Sequence, residues 1–170
     1  KALLFDKCNK AFVLTDSEYG KRLAEISPCC TFTCSATEGD FCALDVRYRG
    51  LAGVAYKLRT PAEEIEISLP MIGSFAVENS LLAASVALEH GIDGQTVKHA
   101  LEGFTGVSGR MERIEADGVT VIIDYAHTPD ALEKLLLSVK ELKRPDARII
   151  LVFGCGGQRD AGKRSEMGRI

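Results

Sequence analysis

The 170-residue sequence has no Cys-x-x-Cys pair, no apolar run long enough to cross a bilayer and no excess of basic residues. Each absence removes a class of protein. The six cysteines (Cys8, Cys29, Cys30, Cys34, Cys42 and Cys155) lack the paired knuckles of a zinc site, so they read as reduced thiols of a cytosolic fold. A formal net charge of −3 argues against a general nucleic-acid binder, because neutralising phosphates needs a basic face. A membrane span needs roughly 20 apolar residues, and no signal-peptide pattern is present either. A cytoplasmic protein is expected. At 46% hydrophobic and 26% charged residues, the chain can bury a core and is not a disordered tail. It opens on Lys1 rather than Met, and Ile170 falls inside a helix pattern that has just begun, so a piece of a longer protein is expected.

The periodicity gives an α/β chain. Residues 11–14 read as a short buried strand and 18–26 as a helix that Pro28 ends. Residues 31–34 read as a further short strand. From Phe41 to Leu69 the period becomes two, with turns at Arg49-Gly50 and Thr60-Pro61, which predicts three antiparallel strands. A small-residue helix follows from about Val77 to His90, stopped by Gly91. A second helix covers 94–104, with His99 off its apolar face. The glycine-rich stretch 103–109 marks a domain boundary. Beyond it the pattern runs strand (110–116), strand (119–124), helix (130–142), strand (148–153), glycine-rich loop, helix. The last strand–helix–strand predicts a right-handed βαβ unit of a parallel, Rossmann-like sheet.

The stretch Val119 to Pro129, VTVIIDYAHTP, draws the chemistry together. Five near-continuously apolar residues, four of them Val or Ile, read as a strand covered on both faces. Asp124 and His127 follow it, at the strand end where open α/β sheets bind ligands. Thr128, Pro129 and Asp130 then supply an N-cap, a first helical residue and a favourable charge. Taken singly, a histidine after a strand is often structural, and Asp124 can serve merely as a partner of the helix start.

The loop after the last predicted strand, GCGGQRDAGKR, nearly matches two phosphate motifs and fits neither. Arg159 occupies the third glycine of a dinucleotide fingerprint, and Arg164 stands where a Walker A loop needs its hydroxyl. Small residues at a strand end still leave backbone N–H groups for an anion, with Arg159 and Lys163 adding charge. The plainer alternative is a solvated surface loop.

Gly109-Arg110-Met111-Glu112, the run Asp124 to Asp130 (DYAHTPD), and Val152 to Gly157 followed by Arg159-Asp160 and Gly162-Lys163-Arg164 together resemble the Mur ligases. Within that family they are most similar to the enzymes that add the third residue of the peptidoglycan stem peptide. The resemblance implies that residues 1–109 are the latter part of a central ATP-binding domain. Residues 110–170 would then be the first part of a Rossmann-like C-terminal domain. It implies ATP-driven amide formation, in which a substrate carboxylate is phosphorylated to an acyl phosphate that the incoming amino group attacks. The substrates implied are UDP-MurNAc-L-Ala-D-Glu and meso-diaminopimelate, with ATP and Mg2+ as cofactors.

Residue by residue, Arg110 matches the arginine that reaches the nucleotide and Asp124 the acid on the ribose hydroxyls. His127 matches the histidine beside the nucleotide, and Arg159 the clamp on the incoming amino acid's carboxylate. In Gly73 to Asn79 (GSFAVEN), which resembles a family segment with two asparagines, Asn79 matches the second, which holds adenine, and Ala76 replaces the first. Lys1 matches a lysine whose carbamate binds Mg2+, an oxygen donor of the kind that ion prefers. The resemblance puts the P-loop before Lys1 and the amino-acid-selecting motif after Ile170, so this chain alone is expected to be inactive. The alternatives are an L-lysine-adding ligase, a folylpolyglutamate or cyanophycin synthetase, and a non-catalytic nucleotide-binding module.

Overall fold

A computed structural model describes residues 2–156, 160 and 162–170. The chain divides into two compact units, Lys1–Thr105 and Gly106–Ile170, each mixed α/β.

The first unit is built on a five-stranded sheet in the order β1-β2-β3-β4-β5. The strands are β1 (Lys10–Leu14), β2 (Cys30–Ser35), β3 (Phe41–Tyr48), β4 (Val54–Arg59) and β5 (Glu64–Leu69). The pairings β1–β2 and β2–β3 are parallel, whereas β3–β4 and β4–β5 are antiparallel. The parallel pair β1–β2 needs a crossover, which α1 (Glu18–Glu25) supplies after Ser17 caps it by accepting from Gly20 N at 3.1 Å. The expected meander is present. Val54, Tyr56 and Leu58 of β4, with Ile65, Ile67 and Leu69 of β5, point into the core, while Glu64 and Glu66 face solvent. Its β3 strand departs from strict alternation. Leu44 pairs with Lys57 but Arg47 pairs with Ala55, so β3 carries one extra residue, and Asp45 takes φ 52 there. That is a bulge, and aspartate is among the few residues that tolerate the left-handed region.

Two helices cover the sheet. The small-residue helix α2 (Ser74–Glu89) begins three residues earlier than its sequence pattern suggests, because Gly73 at φ 92 turns the chain straight into it. Ala76, Val77, Leu81 and Ala84 of α2 join Phe41, Tyr56, Leu58 and Ile67 in one core with Val97 of α3 (Gly94–Glu102). Small side chains let α2 lie close to the sheet, and its buried hydroxyls are all satisfied. Tyr56 Oη lies 2.9 Å from Ser80 Oγ, and Ser85 donates to the Leu81 carbonyl at 2.7 Å. His99 is exposed on α3, as its position off the apolar face predicts. The same helix sends two side chains to the outer strand β5. Glu102 accepts from Ser68 N at 3.0 Å, and Lys98 donates to the Glu66 carbonyl and to Glu102.

The second unit starts with a hairpin of β6 (Glu112–Ala116) and β7 (Val119–Ile123). Asp117 and Gly118 both have positive φ (50 and 77), the backbone a two-residue I′ turn requires. Then come α4 (Pro129–Leu142), capped by Thr128 as expected, and the short α5 (Lys163–Met167). Leu132 of α4 and Met167 of α5 are each 1% exposed and are the hydrophobic anchors of this unit, with Met111.

Two sequence expectations fail here. The segment 148–153 forms no strand: Ile150 is 80% and Val152 91% exposed, and no ladder reaches them among the described residues. A strand is completed by hydrogen-bonded neighbours, and β-branched composition cannot supply them. The right-handed βαβ crossover is therefore not formed. For the same reason β7 is not covered on both faces. Among the described residues it pairs with β6 alone, antiparallel, and Val119, Val121 and Ile123 remain exposed.

Candidate nucleotide site at the end of the hairpin

The site grows from the open end of the β6–β7 hairpin. The register pairs Glu112 with Ile123, so the next opposed pair is Met111 with Asp124. Met111 takes φ 48 and leaves the ladder. Its N–H turns to the Asp124 side chain instead, donating to Oδ2 at 3.0 Å. The other carboxylate oxygen accepts from Ala126 N at 2.8 Å, a local turn typical of aspartate. Asp124 thus pins the loop before β6 to the loop after β7. Each oxygen keeps a second lone pair for an outside donor.

The loop before β6 is braced from within. Arg110 N donates to the Val107 carbonyl at 3.0 Å. The Glu112 carboxylate accepts from Ser108 Oγ and from Gly109 N, both at 2.8 Å. These bonds favour the ionised form and hold the Glu112 carboxyl below its usual range, the Gly109 N–H contributing most and the Ser108 hydroxyl next.

Arg110 leaves this braced loop with its guanidinium 4.8 Å from the centre of the Tyr125 ring. Tyr125 in turn meets the His127 ring edge-on, centroids 5.2 Å apart at 61°. His127 Nδ1 lies 3.1 Å from the Tyr125 carbonyl. A carbonyl only accepts, so this bond requires the proton on Nδ1 and leaves Nε2 as an acceptor in the neutral ring. Lys163, the first residue of α5, donates to the His127 carbonyl at 3.1 Å. The result is an exposed surface with two cations, an aromatic platform, an imidazole and a half-buried carboxylate. Such a set can stack a planar ring, accept from hydroxyls and neutralise phosphate oxygens.

Of the residues singled out in the sequence, Arg110, Asp124 and His127 meet here. Asn79 lies on α2 in the first unit and is exposed. Lys1 and Arg159 fall outside the described residues. No group of three or more His, Cys, Asp or Glu able to hold a metal occurs among the described residues. The sequence reading gave no role to Tyr125 or Glu112, and treated Lys163 only as loop charge. Tyr125 stood in the motif, and its neighbours' charges were the available signal. The Glu112 brace spans three residues without any periodicity to betray it.

Comparison with known proteins accords with this geometry. Residues 109–170 match the family described as Mur ligase, glutamate ligase domain. The UDP-N-acetylmuramoyl-L-alanyl-D-glutamate--2,6-diaminopimelate ligase of Clostridioides difficile is 41% identical, across all of this chain and 36% of the relative. The ligase of the same name from Trichormus variabilis is 37% identical over the same shares. A solved structure bearing that name superposes with a TM-score of 0.69 at 31% identity, over 99% of this chain and 36% of the other. The chain belongs to the Mur ligase family. Within it, these relatives carry the name of the diaminopimelate-adding ligases. The chain spans about a third of the length of the curated relatives it matches.

Proposed function

We propose that this chain is the part of an ATP-dependent ligase that joins meso-diaminopimelate to UDP-MurNAc-L-Ala-D-Glu in the cytoplasm. Residues 1–109 then belong to the central ATP-binding domain and 110–170 to the C-terminal domain. The observation that carries the reading is the convergence of Arg110, Asp124 and His127 at one hairpin end, in a chain 37–41% identical over its whole length to ligases of that name.

The proposed roles follow from what each group can do. The two outer lone pairs of Asp124 accept the ribose hydroxyls. Arg110, resting on Tyr125, meets the charge of the nucleotide phosphates, and His127 lines the same surface. Arg159 takes the carboxylate of the incoming amino acid as a two-pronged fork, and Asn79 takes the adenine. Lys1, which matches the family's carbamate-bearing lysine, would hold Mg2+ through that oxygen donor. The reaction proceeds by phosphorylation of the glutamate-side carboxylate, attack of the amino group on the acyl phosphate, and release of phosphate. The protein's part is to hold the two reactants together and to neutralise charge on the transferring group.

The test is phosphate release from ATP by the intact enzyme given UDP-MurNAc-L-Ala-D-Glu, with meso-diaminopimelate and L-lysine offered separately. Release that depends on diaminopimelate and collapses in Arg159→Ala is expected. Release with lysine alone keeps the ligase and overturns the substrate. Silence with both overturns the ligase reading.

A further inference from the structure

Two thiols stand side by side in the first unit. Cys8 Sγ and Cys29 Sγ are 3.8 Å apart. The sheet register explains the approach. Lys10 pairs with Cys30 across the parallel strands β1 and β2, so one step before the ladder Asn9 stands opposite Cys29, with Cys30 N donating to the Asn9 carbonyl at 3.3 Å. Cys8 is therefore the diagonal neighbour of Cys29 at the entry of two strands whose backbones are already hydrogen-bonded. Adjacent strands lie about 4.8 Å apart, within the backbone span that a disulfide bridges. Cys8 is exposed and Cys29 half-buried, so a small oxidant reaches the pair. Ser27 Oγ lies 3.3 Å from Cys29 Sγ, a polar contact that orients that sulfur.

We infer that Cys8 and Cys29 form a reversible dithiol–disulfide pair, oxidised by a low-molecular-weight disulfide of the glutathione class. One protein thiolate attacks a sulfur of the small disulfide, forming a mixed disulfide and expelling a small thiolate. The second protein thiol, giving up its proton, attacks the protein sulfur of that mixed disulfide. A Cys8–Cys29 bond forms, a second small thiolate leaves, and each leaving thiolate takes up one proton. Two protein thiols are oxidised and one small disulfide is reduced to two thiols. Loss of water around the sulfur, then the neighbouring Cys29, push the Cys8 thiol above its ordinary value, so its reactive thiolate, and with it the rate of exchange, grows as pH rises.

The bond would act as a clasp. The 3-10 turn Ala2–Lys7 just before Cys8 buries none of its side chains, with Leu3 80% and Leu4 68% exposed. Closing the pair ties that turn to the segment between α1 and β2.

The experiment is peptide mapping without reduction, after the intact protein is incubated with excess oxidised glutathione at mildly alkaline pH and its remaining thiols are alkylated. A linked peptide containing Cys8 and Cys29 is expected, two hydrogens lighter than its parts and released by dithiothreitol. It should persist in Cys30→Ser and vanish in Cys8→Ser and Cys29→Ser. Glutathione retained on either cysteine of the wild type overturns the pair, as does a Cys29–Cys30 link or full alkylation of both thiols. The wild-type map decides by itself, whatever the folding of the variants.

Discussion

The Asp124 carboxylate and the Met111 amide form a 3.0 Å hydrogen bond just past the last pair of the β6–β7 ladder, Glu112 with Ile123. A side chain supplies the acceptor for an amide whose backbone, at φ 48, has turned out of the ladder. In Asp124→Asn only one oxygen remains, so either Met111 N or Ala126 N loses its acceptor. A stability loss of about 1 kcal/mol is expected by thermal denaturation. In the intact enzyme, ADP affinity measured by calorimetry should fall about tenfold or more, because a charged acceptor is lost as well. Unchanged affinity in a folded variant would remove Asp124 from the nucleotide site.

Tyr125 supports Arg110 through the face of its ring. Tyr125→Leu removes that platform and the edge contact with His127. An exposed cation–π contact contributes about 0.5–1 kcal/mol, so the KM for ATP should rise roughly two- to fivefold with kcat changed less. Equal loss in kcat and kcat/KM would instead assign Tyr125 to the transition state.

Glu112 sets a pH dependence. Its folded carboxyl titrates below the reference value of 4.5, held there by Gly109 N and Ser108. Its contribution is present above 4.5 and is lost as pH falls through the folded value. Melting curves should therefore rank the wild type above Glu112→Gln at neutral pH and converge in acid. A gap that widens in acid contradicts the brace.

Tyr56 does the reverse at high pH. Burial pushes its hydroxyl up to about 12, with the Ser80 hydrogen bond opposing. A raised value favours the protonated folded form, so this contribution is complete below the reference value of 10 and is lost as pH climbs through about 12. Tyr56→Phe should cost about 1 kcal/mol near neutrality, since Ser80 keeps its bond to the Val77 carbonyl at 3.0 Å. Its alkaline destabilisation should be shallower than the wild type's, read by denaturant melts.

Two glycines three residues apart separate strain from collision. Gly50 has φ 57 and open space around it, whereas at Gly53 (φ 99) a Cβ would stand 2.0 Å from the Leu69 carbonyl oxygen. Gly50→Ala should cost about 1 kcal/mol through backbone strain. Gly53→Ala should lose at least about 2 kcal/mol more, because the obstacle is backbone of the neighbouring strand. Equal melting temperatures would show that this turn moves freely.

What the sequence made legible was periodic or local. The alternation of Ile65, Ile67 and Leu69 with Glu64 and Glu66 announced β5, and Thr128-Pro129-Asp130 announced the start of α4. The residues of DYAHTPD already stood next to one another, so the grouping of Asp124 with His127 needed no tertiary information. What escaped depended on partners. The bulge at Asp45 is a mismatch between two strands and leaves no trace in one. The Met111–Asp124 bond follows from a hairpin register set by the turn at Asp117-Gly118. The segment 148–153 has a strand's composition without a strand's neighbours.

The outer strand β5 has one further consequence, through Lys98 and Glu102. A sheet border normally offers its free amides and carbonyls to any other extended chain, which is how strands of different molecules stick together. Here Glu102 occupies the Ser68 amide and Lys98 the Glu66 carbonyl, each as a charged group. Those two backbone groups of the border are thereby closed to a foreign strand. A newly made chain can thus fold at high concentration without recruiting its neighbours along that side.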